Sequence, residues 1–188
     1  MTKTMIAAAA MLFAVSSTPA QTTRLSPAGV PVRASVPRAL DDAPIAAIFD
    51  AANTWDIETS EVAVKKSSNK DVKMFAEMMI KDHTAVRKLG RDLVAKLKVT
   101  PTPPGKDFAL YIDHVDAMKK LNSATGAEFD KWYIDHEVTY HQAVIDAVTK
   151  QLLPATQNAE LKDLENKVAP NFVAHLAAAK AVQAKVAK

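Results

Sequence analysis

Cysteine is absent from the 188-residue sequence, which removes both disulfides and thiolate metal ligands from consideration. Glycine is scarce, with 4 residues, and no Gly-rich loop is available to cradle a phosphate. A Gly-x-Ser-x-Gly elbow and a His-Glu-x-x-His helix motif are also missing, so the common hydrolase and zinc-protease signatures do not apply. Charge of one sign is not in excess: 24 basic and 21 acidic residues leave +3, with the signs mixed along the chain. Such a balance argues for no nucleic-acid partner and supplies no basic arm for a membrane surface. The longest apolar run, residues 5–15, falls short of the ~20 residues that a spanning helix requires.

That run has the form of an address. Lys3 precedes it, and the small residues Ser16, Ser17, Thr18 and Ala20 follow. Residues 1–20 therefore read as a secretory signal peptide cleaved after Ala20. Residues 21–40 carry Pro27, Pro31 and Pro37 without helical periodicity and read as a disordered linker. The expected product is one domain, residues 41–188, periplasmic or secreted, with no integral membrane segment.

Hydrophobic residues make up 48% of the chain, enough for a sizeable core, and Ala, Lys, Val and Leu abound, which favours helix over sheet. The first helix is expected over about 42–66, capped by Asp41 or Asp42, with Ile45, Ile48, Ala52, Trp55, Thr59 and Val62 on its buried face. Ser68 and Asp71 suggest a capping box for the second. That helix extends to about residue 98 and carries Val72, Ala76, Met79, His83, Val86, Gly90, Leu93 and Leu97 in unbroken steps of four and three. The Pro-rich residues 100–105 stop it, and residues 107–121 form a short connecting helix. The third long helix follows Gly126, with Ile134, Val138, His141, Ile145, Val148 and Leu152 inward, and Pro154 ends it. The fourth runs from about residue 158 through Leu161, Leu164, Val168, Phe172, His175, Ala179, Val182 and Val186. Pro170 predicts a kink or local unwinding there. The expected fold is all-α, an antiparallel four-helix bundle.

Three of those stripe positions are histidines, one on each of three helices. Asp56 lies at the edge of the stripe on the remaining helix, the first. At ~1.5 Å rise per residue, Asp56 sits ~15 Å before its helix end, His83 ~20 Å in, His141 ~16 Å before its end and His175 ~25 Å in. One middle layer can therefore contain all four. Three neutral imidazoles and a carboxylate suit Zn²⁺, Cu²⁺ or Fe²⁺. The same residues also suit a metal-free polar network, with Asp56, Asp82, Asp130 or Glu137 as partners, because a buried polar group needs one. Asp82, Asp130 and Glu137 are candidate outer partners of an ion as well, and Asp130 and Glu137 are also alternative ligands. His114 and His136 are expected at the solvated surface, as are Glu58 and Glu61. Phe129, Trp132, Tyr133 and Tyr140 read as packing for the connector or a partner subunit, which leaves a homo-oligomer open. Di-iron chemistry fails a spacing test, since Ile80, Tyr111, Tyr133, Val138 and Phe172 precede the five histidines where Glu-x-x-His would need Glu.

Several motifs lie along residues 42–182. They are Asp56-Ile57-Glu58, Ala63, Val72-Lys73-x-Phe75-Ala76-x-x-Met79-Ile80-x-Asp82-His83-Thr84, Gly126-x-x-Phe129-Asp130-x-x-Tyr133, His141-Gln142, Pro170 and His175-Leu176. Together they resemble the domain-of-unknown-function 4142 family, exported bacterial proteins placed among ferritin-like folds and often labelled periplasmic or outer-membrane. Many members of that family carry Glu where this chain has Asp56, and Leu where it has Ala169 before the proline. The resemblance implies a ferritin-like bundle and a shared polar or metal site at Asp56, His83, His141 and His175. It implies no activity. Two classes of function follow: a metal-binding or metal-responsive bundle, or a non-catalytic envelope-stress or interaction protein.

Overall fold

A computed structural model describes residues 41–187 other than Pro104 and Asp107, so the expected signal peptide and linker lie outside it. The described residues are helical, with no strand among them. Helix α1 spans Asp42–Lys66. Asp41 caps it by accepting from Ala43 N at 3.2 Å, and Lys65 and Lys66 complement the negative end of its dipole. Helix α2 spans Lys70–Leu97 and is capped by Asn69 rather than by Ser68. The Asn69 carbonyl accepts from Asp71 N and Val72 N, a reach that an Asn one residue nearer the helix achieves and Ser68 does not. Lys98, left-handed at φ 54°, ends it.

Helix α3 spans Ala109–Ser123. Its C-terminal carbonyls are gathered by one ammonium: Lys66 Nζ donates to Leu121 O, Asn122 O and Ala124 O at 2.7, 2.9 and 2.8 Å. Helix α4 spans Gly126–Ala147 and opens on Gly126 at φ +57°, a conformation that glycine adopts without steric cost. A π-helical turn, Val148–Leu152, and the short α5, Leu153–Ala155, complete this segment around Pro154. Helix α6 spans Ala159–Val186, capped by Asn158. It stays helical through Pro170, so of the expected kink or unwinding the helix does not unwind. Pro170 and Asn166 are both exposed, so the carbonyl that loses its N–H partner lies where water can serve it.

Helix α1 packs on α2, α3 and α4, and α6 packs on α4 and α2. The α2 stripe is as the spacing predicts: Val72, Ala76, Met79, His83, Val86 and Gly90 are all buried. The α1 stripe is rotated by about one residue from expectation. Its buried centre is Phe49, Asn53, Asp56, Ser60 and Ala63, whereas Ala52, Trp55 and Val62 are only half-buried. Trp55 misled the reading because it faces α3, stacking on His114 at 5.5 Å and lying 6.1 Å from Tyr111.

The apolar core comes in two clusters. One gathers Ile45, Phe49, Val86, Val144, Leu164 and Phe172 with their neighbours. The other gathers Ala63, Met79, Phe129, Tyr133, Ile134 and Ala179 with theirs. Helices α1 and α6 run from the first cluster to the second, and α2 and α4 run the opposite way. Between the clusters every one of these four helices places a polar residue. No helix among the described residues is long and apolar enough to cross a membrane.

Candidate metal centre

The polar layer consists of Asp56 on α1, His83 on α2, Glu137 and His141 on α4, and His175 on α6, each no more than 3% exposed. The three imidazoles stand with ring centroids 5.0 to 5.6 Å apart. One ligand atom from each histidine lies within 4.8 Å of the others, and Asp56, Glu137 and His141 form a second such group sharing His141. Asp56 joins the two: its Oδ2 is 3.4 Å from His83 Nε2 and 3.6 Å from His141 Nε2. These groups could hold a metal ion.

The outward-facing nitrogens identify the tautomers. Asn53 Nδ2 donates to Phe49 O at 2.7 Å, which turns its carbonyl oxygen toward His83 Nδ1 at 2.9 Å. That oxygen only accepts, so His83 Nδ1 carries the proton and Nε2 carries the lone pair. His141 Nδ1 donates in the same way to Glu137 O at 3.0 Å, and His175 Nε2 to the Asp82 carboxylate at 3.1 Å. His83 Nε2, His141 Nε2 and His175 Nδ1 are left with lone pairs and no hydrogen-bond partner, and Asp56 Oδ2 and Glu137 Oε2 are likewise unpartnered. Five buried acceptor atoms without a donor carry a large desolvation cost. A cation held by either group would offset that cost for the atoms of that group.

Burial sets the charge state. It pushes His83 down to about 3 and His141 down to about 4, so both imidazoles are neutral at pH 7. It pushes the carboxyls of Asp56 and Glu137 up. Hydroxyls steady the carboxyls: Ser60 donates to Asp56 Oδ1 at 3.5 Å and receives from Tyr133 at 2.8 Å, and Thr59 lies 3.4 Å from Glu137 Oε1. Burial raises Tyr133 well above the usual phenol range, which keeps it a donor.

Of the residues expected from sequence, Asp56, His83, His141 and His175 come together, and Asp82 takes the outer position against His175. Glu137, expected as an outer partner or alternative ligand, is fully buried and belongs to the second group that could hold a metal. Asp130 is buried but joins neither group, because it points from the second apolar cluster's end of α4. His114 and His136 are not solvated. The His114 side chain is 10% exposed, bonded to Glu58 at 2.9 Å, and His136 lies half-buried between Trp132 and Tyr140. Neighbouring indoles cover both rings. Asn53, Thr59, Ser60 and Tyr133 were missed as parts of the centre. The signal for Asn53 and Ser60 was present, since Phe49, Asn53, Asp56, Ser60 and Ala63 repeat the four-three spacing of a buried face.

A family model described as a domain of unknown function (DUF4142) matches residues 29–182. No curated protein gives a significant match. The chain is similar in fold to the crystal structure of a DUF305 fragment from Deinococcus radiodurans, with a TM-score of 0.64 and 11% identity over 76% of this chain and 97% of that one.

Proposed function

Since this chain belongs to the DUF4142 family, whose description assigns no activity, function must come from the centre itself. We propose that it is a transition-metal site in an exported, ferritin-like four-helix-bundle protein. One observation carries this reading: each of three clustered imidazoles spends one nitrogen on an acceptor and leaves the other buried without a partner, those of His83 and His141 lying 3.4 and 3.6 Å from Asp56 Oδ2. Metal-bound histidines have that arrangement, because the outer hydrogen bond fixes the ring and raises the basicity of the inner nitrogen. Asp56, His83, His141 and His175 would be the ligands, Glu137 a further carboxylate beside His141, and Asp82 and Asn53 the orienting partners.

Three nitrogens and one oxygen suit a borderline cation such as Zn²⁺, Cu²⁺ or Fe²⁺. His83 and His141, neutral at pH 7, offer it no proton competition, and its charge would draw the raised carboxyls back toward their ordinary range. Every ligand residue is buried, so the centre favours holding or sensing an ion over turnover of a bulky substrate. The test is metal analysis of untagged protein after incubation with each ion, wild type against a His83→Ala/His141→Ala double variant. One equivalent in the wild type and none in the variant is expected. Metal-free wild type with an unmoved melting temperature would refute the reading and favour a purely structural network, to which the Tyr133–Ser60–Asp56 chain already belongs.

A further inference from the structure

The proposed ligands are not equally shut in. Between α2 and α6 a cavity of about 360 Å³ is lined by Met78, Asp82, Ala85, Asn171, Ala174 and His175, with Val86 and Ala178 completing its wall. That is room for several waters at ~30 Å³ each. Its small residues leave the space open, for Ala174 and Ala178 stand one turn apart on α6 opposite Ala85 on α2. A larger cavity of about 420 Å³ lies between α4 and α6, but its lining includes none of the proposed ligands. The α2–α6 cavity reaches one of them, His175.

His175 spans the wall between this cavity and the centre. Its Nε2 meets Asp82, whose side chain is 37% exposed, while its Nδ1 is buried without a partner among the other imidazoles. Asp56, His83 and His141 touch neither cavity. A divalent ion arriving from water meets the Asp82 carboxylate first, then an imidazole with a nitrogen on each side. The remaining ligands are fixed from behind: His83 by Asn53, His141 by its own helix, and Asp56 by Ser60.

From this asymmetry, and resting on the metal reading above, we propose that the α2–α6 cleft is the ion's route into the centre. Asp82 is the residue that captures the ion, and His175 is the ligand that turns to pass it inward. Capture exchanges coordinated water for a carboxylate oxygen; in passage the His175 ring turns, its Nε2–H leaves Asp82, and the Nδ1 lone pair replaces the carboxylate oxygen on the ion, so the ring keeps its proton. No electron moves.

The experiment measures Zn²⁺ uptake and release by the metal-free full chain in a stopped-flow instrument, with a chromophoric chelator as reporter. Ala174→Leu and Ala85→Leu each fill the cleft from an exposed position on a different helix, and Val173→Phe crowds the α4–α6 cavity as a control. Either leucine should slow uptake and release together by about tenfold or more, leaving Kd within about twofold, because a blocked route raises the barrier and not the end states. The control should match wild type. Leucine variants as fast as wild type, or a control slowed equally, would overturn the route while leaving the metal site standing. Wild type that takes up no Zn²⁺, Cu²⁺ or Fe²⁺ would overturn both.

Discussion

The Asn53 carbonyl oxygen lies 2.9 Å from His83 Nδ1 and thereby decides which nitrogen of that imidazole faces the centre. The amide is itself held by Phe49 O, one turn back on α1, so the orientation of His83 on α2 is set by the backbone of its neighbour.

Asn53→Leu removes the acceptor while keeping the volume. His83 Nδ1 then loses its partner, and the ring can rotate or change tautomer. Metal affinity should fall by about 10- to 100-fold, the usual cost of losing an orienting partner. Isothermal titration with the ion identified by metal analysis reads this directly, and an unchanged Kd would exclude any orienting role for Asn53.

Lys66 should matter beyond its exposed position. It supplies all three donors of its ammonium to the C-terminal end of α3, where the helix dipole also favours a cation. Lys66→Met should lower stability by about 1.5–3 kcal/mol, the range for charge-assisted hydrogen bonds. Amide exchange should rise in α3 before it rises elsewhere. Uniform exchange across the helices would contradict this local account.

Gly90 admits no side chain. A Cβ built there would lie 2.7 Å from the Phe49 ring, which is buried in the first apolar cluster. Alanine ordinarily gains ~1 kcal/mol over glycine in a helix. Here overpacking of ~1–3 kcal/mol should exceed that gain, so Gly90→Ala should be less stable in chemical denaturation. A Gly90→Ala/Phe49→Leu double variant should recover part of the loss, which tests the contact itself.

Glu165 provides a pH dependence remote from the centre. It is 1% exposed, accepts from Thr156 Oγ1 at 2.9 Å, and its carboxyl is raised by burial first and by nearby Asp42 second. A raised acid binds more protons folded than unfolded, so its contribution is fully present below the ordinary 4.5 and is lost as pH rises through the folded value. Glu165→Gln imitates the protonated form. It should raise the melting temperature at pH 7 by about 2–4 °C and converge with wild type near pH 4. An advantage that persists in acid would show that packing, not protonation, was responsible.

The sequence made α2 legible because a single buried face repeats there without interruption, and His83 stood out against it. Helix α1 was harder. It contacts three helices, so apolar residues lie on more than one side, and the strong signal of Trp55 belongs to the α3 contact. The buried centre of its face was instead marked by Asn53, Asp56 and Ser60, polar residues that hydrophobic periodicity discounts. Which nitrogen of each histidine points inward was not legible at all. It depends on Asn53 across a helix pair, on the Glu137 carbonyl and on Asp82, none of which composition or spacing can orient. The covering of His114 and His136 depended in the same way on where Trp55 and Trp132 came to lie.

The polar layer between the two apolar clusters has a mechanical consequence. Two purely oily helices can slide past one another by a turn, ~5.4 Å, and still find greasy neighbours. Here such a slip would drive His83, His141 or His175 into hydrocarbon and bring Met79 or Phe172 against carboxyls, an unfavourable exchange at every step. The layer thus works as a vernier mark cut across four rods. It gives the helices one permitted alignment, whether or not an ion is there to clamp it.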